Sequence, residues 1–150
     1  SDCPLIDPVV CGRVLAEVTE GRAGFAANNI PPTWPHGLDC EAFTFALLER
    51  AAAGATTSFE REHVSPFMRE AADVRRANVA AAGKDMSHHR WTLDTPQDHA
   101  FLQALFARLP QGPESWDHHI PLALVETDPD LAVLNAGHEH PLKNEHSVSR

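Results

Sequence analysis

The chain has 150 residues, of which 43% are hydrophobic and 22% are charged, a composition typical of one globular domain. A chain of this length buries roughly 70% of the surface that its unfolded form exposes, enough for a proper core. Its formal net charge of −9 argues against a nucleic-acid partner, which would select a basic surface. No apolar run is long enough to span a bilayer, so we expect no membrane partner. Three cysteines without a C-x-x-C spacing predict reduced thiols in a cytoplasmic protein.

The first half of the chain predicts two helices and two strands. Asp7 is a typical N-cap residue with Pro8 at the first helical position, and Gly21 is expected to end that helix. Strands are predicted at residues 23–28 and 37–43, on either side of a proline-rich loop. A second helix is predicted at residues 45–53.

The second half continues the alternation of helices and strands. The predicted elements are a helix at 60–72 that Pro66 splits, a strand at 74–79, a short strand at 90–94, and helices at 96–109, 115–126 and 129–134. Thr95, Pro96 and Asp98 form a capping-box pattern. The buried stripe of that helix is predicted to contain Phe101, Leu102, Leu105, Phe106 and Leu109. Strands alternating with helices predict an α/β fold, with residues 136–150 as a polar, frayed tail.

Two aspartates stand just before proline-led helices at opposite ends of the chain. Asp2 precedes the helix that Pro8 opens, and Asp94 precedes the helix that Pro96 opens. In an open α/β sheet such positions fall at the carboxyl ends of strands, where ligands bind. Two carboxylates meeting there are suited to hold Mg²⁺ against phosphate oxygens. Either aspartate also suits a turn or a helix cap.

Further polar residues are candidates for substrate contacts. Asp39 and Glu41 are expected on one face of the strand predicted at 37–43, where they suit sugar hydroxyls, a metal or plain solvent. Trp34 suits either stacking on a sugar or core packing. Arg61 and His63 suit a phosphate or carboxylate group, or a surface charge lattice.

The ten histidines raise the alternative of a histidine-rich metal-binding protein. Pairs occur at His88-His89 and His118-His119, and His138 is two residues before His140. None of them has a known zinc-ligand spacing. Adjacent histidines of a helix are expected to point in different directions, which disfavours zinc. No glycine-rich phosphate-binding motif is present either.

Four motifs in order resemble the cytidylyltransferase family of spore coat polysaccharide biosynthesis protein F. They occupy residues 2–8, 37–43, 61–66 and 90–98, and the resemblance covers the chain up to about residue 135. The family is itself similar to the acylneuraminate and keto-deoxy-octulosonate cytidylyltransferases. The resemblance implies a Rossmann-like nucleotide-diphospho-sugar transferase fold. It also implies transfer of a cytidylyl group from CTP to a sugar or sugar acid, with release of pyrophosphate.

The resemblance also implies roles for particular residues. Asp2 and Asp94 match the aspartates that hold the catalytic magnesium in the related enzymes. The substrate-binding residues implied are Gly37, Asp39, Glu41, Arg61, His63 and Arg90. The family's arginine- and lysine-containing phosphate loop has no counterpart here.

We therefore expect residues 1–135 to be the C-terminal portion of a cytidylyltransferase-like domain, without its N-terminal nucleotide-binding half and inactive alone. A homodimer is possible. The alternative is a non-catalytic module that binds a sugar or a nucleotide.

Overall fold

The computed structural model describes residues 2–63, 65–112 and 117–137. In chain order its elements are α1 (Pro8–Thr19), β1 (Phe25–Ala27), β2 (Glu41–Phe43), α2 (Phe45–Gly54), α3 (Ser58–His63), α4 (Pro66–Glu70), β3 (Arg76–Asn78), α5 (Pro96–Phe106), α6 (His119–Thr127) and α7 (Pro129–Leu134). The predicted α/β class is confirmed. The predicted start of a helix at residue 115 and nearly all of the predicted tail lie outside the described residues.

The sheet is small and mixed, with the strand order β2-β1-β3. The central strand β1 pairs antiparallel with β2, Ala26 lying opposite Ala42. It pairs parallel with β3, where Ala26 lies opposite Ala77. All three residues of β1 are buried, as expected for a strand covered on both faces.

Local sequence signals set where the helices begin. The Asp7 side chain accepts bonds from the backbone amides of Val9 and Val10 at the start of α1. Thr95 and Asp98 form the predicted capping box of α5, and Pro66 begins α4 and separates it from α3. These predictions are confirmed because a cap acts within one turn of chain, where sequence alone supplies both partners.

Two clusters of buried residues form the core. The larger one joins α5, α6 and α7 to the loop before β2 and to Trp91; its members include Leu38, Trp91, Phe101, Leu105, Val125 and Leu131. The smaller one lies between β1, α2 and α4 and contains Phe25, Ala27, Leu47, Ala51 and Met68. Of the stripe predicted for α5, Phe106 is instead 43% exposed. No helix in the described part of the chain has both the length and the apolar character needed to cross a membrane.

The strand predicted at 37–43 is shorter than expected, because a side chain takes over its backbone bonds. Asn28 donates to the Leu38 carbonyl at 2.7 Å and accepts from the Cys40 amide at 2.8 Å. Only residues 41–43 remain to pair with β1. Asp39 therefore lies outside β2, and the expectation that Asp39 and Glu41 share one strand face is wrong.

The strand predicted at 90–94 is reduced to a single parallel bridge between His36 and Arg90. On either side of that bridge the backbone bonds go elsewhere. The amide of Arg90 donates to the Asn135 side chain at 3.3 Å, and the Leu93 amide donates to the Asp2 carbonyl at 2.7 Å. The segment is extended and well bonded, but its partners come from α7 and the N-terminus.

The loop that carries His36 packs closely on this extended segment at Gly37. Gly37 has a φ of +110°, and a Cβ placed there would lie 2.7 Å from the carbonyl carbon of Trp91 and 2.9 Å from the Thr92 amide nitrogen. Both neighbours are backbone atoms and cannot rotate aside. Glycine is therefore required for the contact between the two segments.

Replacing Gly37 by alanine is expected to destabilise the fold by more than the roughly 1–3 kcal/mol of a strained backbone conformation alone, because overlap with Trp91 adds to the strain. Gly83 is the matched control: it has a φ of +89° and nothing within 4 Å of the added Cβ. Urea denaturation of Gly37→Ala and Gly83→Ala measures the difference. Equal losses of unfolding free energy in the two variants would contradict the close packing.

Candidate active site

The backbone of Asp2 lies directly against the segment that carries Asp94. The Asp2 carbonyl accepts from the Leu93 amide at 2.7 Å and from the Thr92 hydroxyl at 3.1 Å. The same hydroxyl donates to the Asp94 carboxylate at 3.2 Å. The two ends of the predicted pair are thus joined through one threonine, although 92 positions separate them along the chain.

Asp94 is held by Arg90. The Arg90 guanidinium donates to Asp94 Oδ2 at 2.6 Å and to both oxygens of Asp98, at 2.8 and 2.9 Å. Asp98 is only 3% exposed, and it also accepts from the backbone amides of Asp94 and Thr95. Arg90 and Asp98 therefore form a rigid ion pair that holds the exposed Asp94 in position.

The ion pair shifts the pKa of both Arg90 and Asp98. Its hydrogen bonds to Asp98 raise the pKa of Arg90 above its ordinary value, although burial opposes the shift. The hydrogen bonds from Arg90 hold the pKa of Asp98 far below its usual range, helped by the backbone amides of Asp94 and Thr95 and again opposed by burial. Both groups are charged at neutral pH.

The loop before β2 supplies the third side of the site. His36 Nδ1 lies 3.1 Å from the Arg90 guanidinium; since arginine only donates, this nitrogen is the acceptor and Nε2 carries the proton. That Nε2 is 4.0 Å from Asp39 Oδ2. Asp39 in turn accepts from the amide of Gly37 and from the side chain of Asn29, both at 3.0 Å.

The Cys3 thiol is close enough to Asp2 and Asp39 for both carboxylates to affect its pKa. Burial raises the pKa of its thiol, and the negative charges of Asp2 and Asp39 raise it further, while a hydrogen bond with Thr92 acts the other way. We call Asp2, Asp39 and Asp94, with Arg90 and His36 beside them, the aspartate cluster.

The remaining predicted site residues, Glu41, Arg61 and His63, lie outside the aspartate cluster. Glu41 accepts from Arg69 of α4, with Nε at 3.0 Å from its Oε1, so its carboxylate is neutralised within the fold. Arg61 lies on α3 in a shallow groove beside α2, next to Leu48 and Ala55. His63 packs its ring against that of Phe59 at 4.6 Å. No contact in the described part of the chain links Arg61 or His63 to the aspartate cluster.

Trp34 is a core residue. It is 4% exposed, and its indole nitrogen donates to the Val79 carbonyl at 2.7 Å. Of the two interpretations left open by the sequence, core packing is therefore the one that the structure shows.

Sequence reasoning did not assign site roles to His36, Asn29, Asp98 and Arg69. Asn29 is 6% exposed, and its amide oxygen has no hydrogen-bond partner among the described residues. His36 precedes the Gly37 motif, and Asp98 was interpreted only as part of a capping box. The available sequence signal for His36 and Asp98 was that they lie beside or within these motifs. No sequence signal marked Arg69, because its partner Glu41 is 28 residues away.

The donor set of the aspartate cluster suits a hard divalent cation. Asp2 and Asp94 are both exposed, with the Asp94 side chain 46% accessible. Carboxylate oxygens combined with water and phosphate oxygens are the ligands that Mg²⁺ prefers. The cysteine beside them is protonated at neutral pH and adds no soft ligand.

Comparison with known proteins gives one structural match. The structure of a cytidylyltransferase from Leptospira borgpetersenii serovar Hardjo-bovis (strain JB197) superposes with a TM-score of 0.81, with 26% sequence identity over 93% of this chain. This chain spans 58% of the length of that chain. No protein-family model and no curated protein matches. The fold, with its small mixed sheet, is thus that of a cytidylyltransferase, and the match supports the general class of nucleotidyltransferases.

The lowered pKa of Asp98 predicts a loss of stability in acid. A folded-state pKa below that of the unfolded chain, about 3.9, gives stabilisation that is complete above the unfolded pKa and is lost as the pH falls through the folded value. We expect the urea midpoint to fall steadily below about pH 4. Asp98→Asn should be less stable at pH 7 and should show a shallower decline in acid. An unchanged acid profile in that variant would contradict the assignment.

Proposed function

We propose that this chain carries the metal- and acceptor-binding part of a Mg²⁺-dependent cytidylyltransferase. In the proposed reaction an oxygen of a sugar or sugar acid attacks the α-phosphorus of CTP. A bond forms between that oxygen and phosphorus as the bond to the β-phosphate oxygen breaks, and pyrophosphate leaves. The product is an activated sugar for polysaccharide or glycan precursor synthesis.

One observation carries the proposal: the Asp2 carbonyl accepts the Leu93 amide at 2.7 Å, in a chain that superposes on a cytidylyltransferase over 93% of its length. This bond brings the residue-2 and residue-94 regions to one edge of the fold. In a metal-dependent nucleotidyl transfer, the protein commonly contributes one or two carboxylates to the cation.

The residues of the aspartate cluster have different proposed roles, which follow from their positions. Asp2 and Asp94 hold Mg²⁺, which when bound offsets the negative charge of the phosphate oxygens. Arg90 acts through Asp94: its Nη2 donates both to Asp94 and to the buried Asp98, so Asp98 fixes the group that orients the metal ligand. Arg90 is thus a positioning residue.

Gly37, Asp39 and Glu41 border the acceptor side of the proposed site. Asp39 is oriented by the Gly37 amide and by Asn29, which leaves its carboxylate preorganised for a sugar hydroxyl. Glu41 is already paired with Arg69, so we expect it to act mainly by fixing the edge of β2. Arg61 and His63 remain proposed substrate contacts on α3.

The chain is shorter than the cytidylyltransferase that it matches, and this limits the activity that we expect of the chain alone. The chain spans 58% of the matched cytidylyltransferase and contains no glycine-rich phosphate-binding motif. We propose that it releases no pyrophosphate alone and that activity belongs to a polypeptide that also contains a phosphate loop. The cytoplasmic location and the possible homodimer stay predictions.

Asp94→Asn tests the metal assignment. The amide keeps the size of the side chain and can still accept from Arg90, but it removes the charge that binds the cation. We expect binding of Mg²⁺ to this chain, measured by calorimetry, to weaken strongly. Pyrophosphate release by the complete enzyme should fall roughly 100-fold or more, the scale of losing one electrostatic transition-state contact.

Asp73→Asn is the matched control, since Asp73 is an exposed aspartate that also pairs with an arginine, Arg50, at 2.9 Å. It should leave binding and activity unchanged. Full activity in Asp94→Asn would overturn the metal assignment. CTP or sugar binding with no pyrophosphate release by any polypeptide containing this chain would instead favour the non-catalytic binding module.

A further inference from the structure

A second group of metal-binding side chains lies at the start of α6. Asp117, His118 and His119 each offer one ligand atom, and these atoms lie within 4.8 Å of one another. In the part of the chain that the structure describes, no other group of three or more His, Cys, Asp or Glu side chains meets this condition. None of the three belongs to the aspartate cluster.

The two imidazole rings lie together, against expectation. The ring centroids of His118 and His119 are 4.0 Å apart, with 37° between the ring planes. The prediction that adjacent histidines diverge is wrong for this pair, because His118 is the cap residue that precedes α6 and its side chain is fixed by tertiary contacts. Trp34 packs edge-on against the His118 ring at 4.9 Å.

The tautomer of His118 is set by a buried carboxylate. His118 Nδ1 lies 2.6 Å from Oδ2 of Asp7, which also accepts from the His118 backbone amide at 3.0 Å. Asp7 is 1% exposed, and its other oxygen accepts from the amides of Val9 and Val10.

Oδ2 of Asp7 faces Nδ1 of His118, so Nε2 is the ring nitrogen left for a metal. A histidine that donates one ring N–H to a buried carboxylate while its other nitrogen is a free lone pair is the arrangement found behind metal-bound imidazoles. Asp7 thus does more than cap α1. It orients a ligand 111 positions along the chain.

The other two ligands are ready for the same ion. One oxygen of Asp117 accepts from the His119 amide at 2.9 Å, which orients the carboxylate and leaves its second oxygen for a metal. Asp117 and His119 are exposed, and His118 is partly buried. Three protein ligands with solvent beside them leave a fourth position for water or another ligand.

We propose that Asp117, His118 and His119 form a zinc-binding site, with Asp7 as the residue that positions His118. Two imidazoles and one carboxylate suit Zn²⁺ far better than Mg²⁺, which prefers oxygen ligands. The positive end of α6 disfavours a cation there, but the carboxylates of Asp117 and Asp7 offset it. The nearby Lys84 is neutralised by Glu126 at 2.7 Å.

Zinc titration of the purified chain near neutral pH tests the site. We expect one equivalent of Zn²⁺ to bind, measured by competition with a chromophoric chelator, and to raise the thermal midpoint, since a metal that binds only the folded state stabilises it. Co²⁺ should bind in its place with the visible absorption of a four-coordinate ion. Absence of stoichiometric binding would overturn the proposal.

The variants distinguish this site from the remaining histidines. His119→Gln changes an exposed side chain and should lower zinc affinity at least tenfold, as should Asp117→Asn. Asp7→Asn keeps a cap residue but removes the charge behind His118, and we expect a roughly 10–100-fold loss. If it unfolds, the two exposed variants decide alone.

Two controls should bind zinc normally: His99→Gln on α5, and a triple glutamine variant of His138, His140 and His146. Loss of binding in the triple variant with full binding in His119→Gln would place the metal elsewhere and overturn the proposal.

Discussion

The Arg90–Asp98 ion pair is the interaction on which the candidate site depends. Asp98 is buried at the start of α5, where its carboxylate caps the helix and accepts both bonds of the guanidinium. A buried carboxylate without such a partner would be costly, and so would a half-buried arginine. The remaining donors of Arg90 then reach Asp94 and His36. One side chain thus joins the start of α5 to the loop that carries His36.

This arrangement also determines the charge balance. Asp2, Asp39 and Asp94 carry negative charge in this region, and Arg90 is a cation that the fold places beside Asp94. In the proposed reaction a divalent ion bound by Asp2 and Asp94 would add positive charge to this region. Burial, followed by the charges of Asp2 and Asp39, raises the pKa of the Cys3 thiol.

The two metal sites proposed here differ in the physical origin of their selectivity. The aspartate cluster offers oxygen ligands that are held in place by one arginine. The site at α6 offers nitrogen ligands, one of them oriented by Asp7 through a bond of 2.6 Å. Both use a buried aspartate that caps a helix and at the same time holds a functional side chain, Asp98 for Arg90 and Asp7 for His118. In each case the sequence pattern identifies the helix cap but not the second contact that the same aspartate makes.

Predictions failed where side chains compete with the backbone ladder. Alternation at residues 37–43 is typical of a strand, yet the Asn28 side chain bonds Leu38 and Cys40 and shortens it to three residues. The same holds at Arg90, whose backbone pairs with the amide group of Asn135. A periodicity pattern contains no information about which distant amide will reach the chain.

The sequence by itself determined the α/β class, the helix starts at Asp7, Thr95 and Pro66, and the motifs that single out Asp2 and Asp94. Caps, prolines and periodicity act within a few residues, so both partners are visible in one stretch of chain. Only the tertiary structure decided that Glu41 is paired with Arg69 and that His118 and His119 converge. The Glu41–Arg69 pair joins residues 28 positions apart. The rings of His118 and His119 are neighbours in the sequence, but the His118 ring is held by the distant Asp7 and Trp34, so its arrangement depends on how the chain packs.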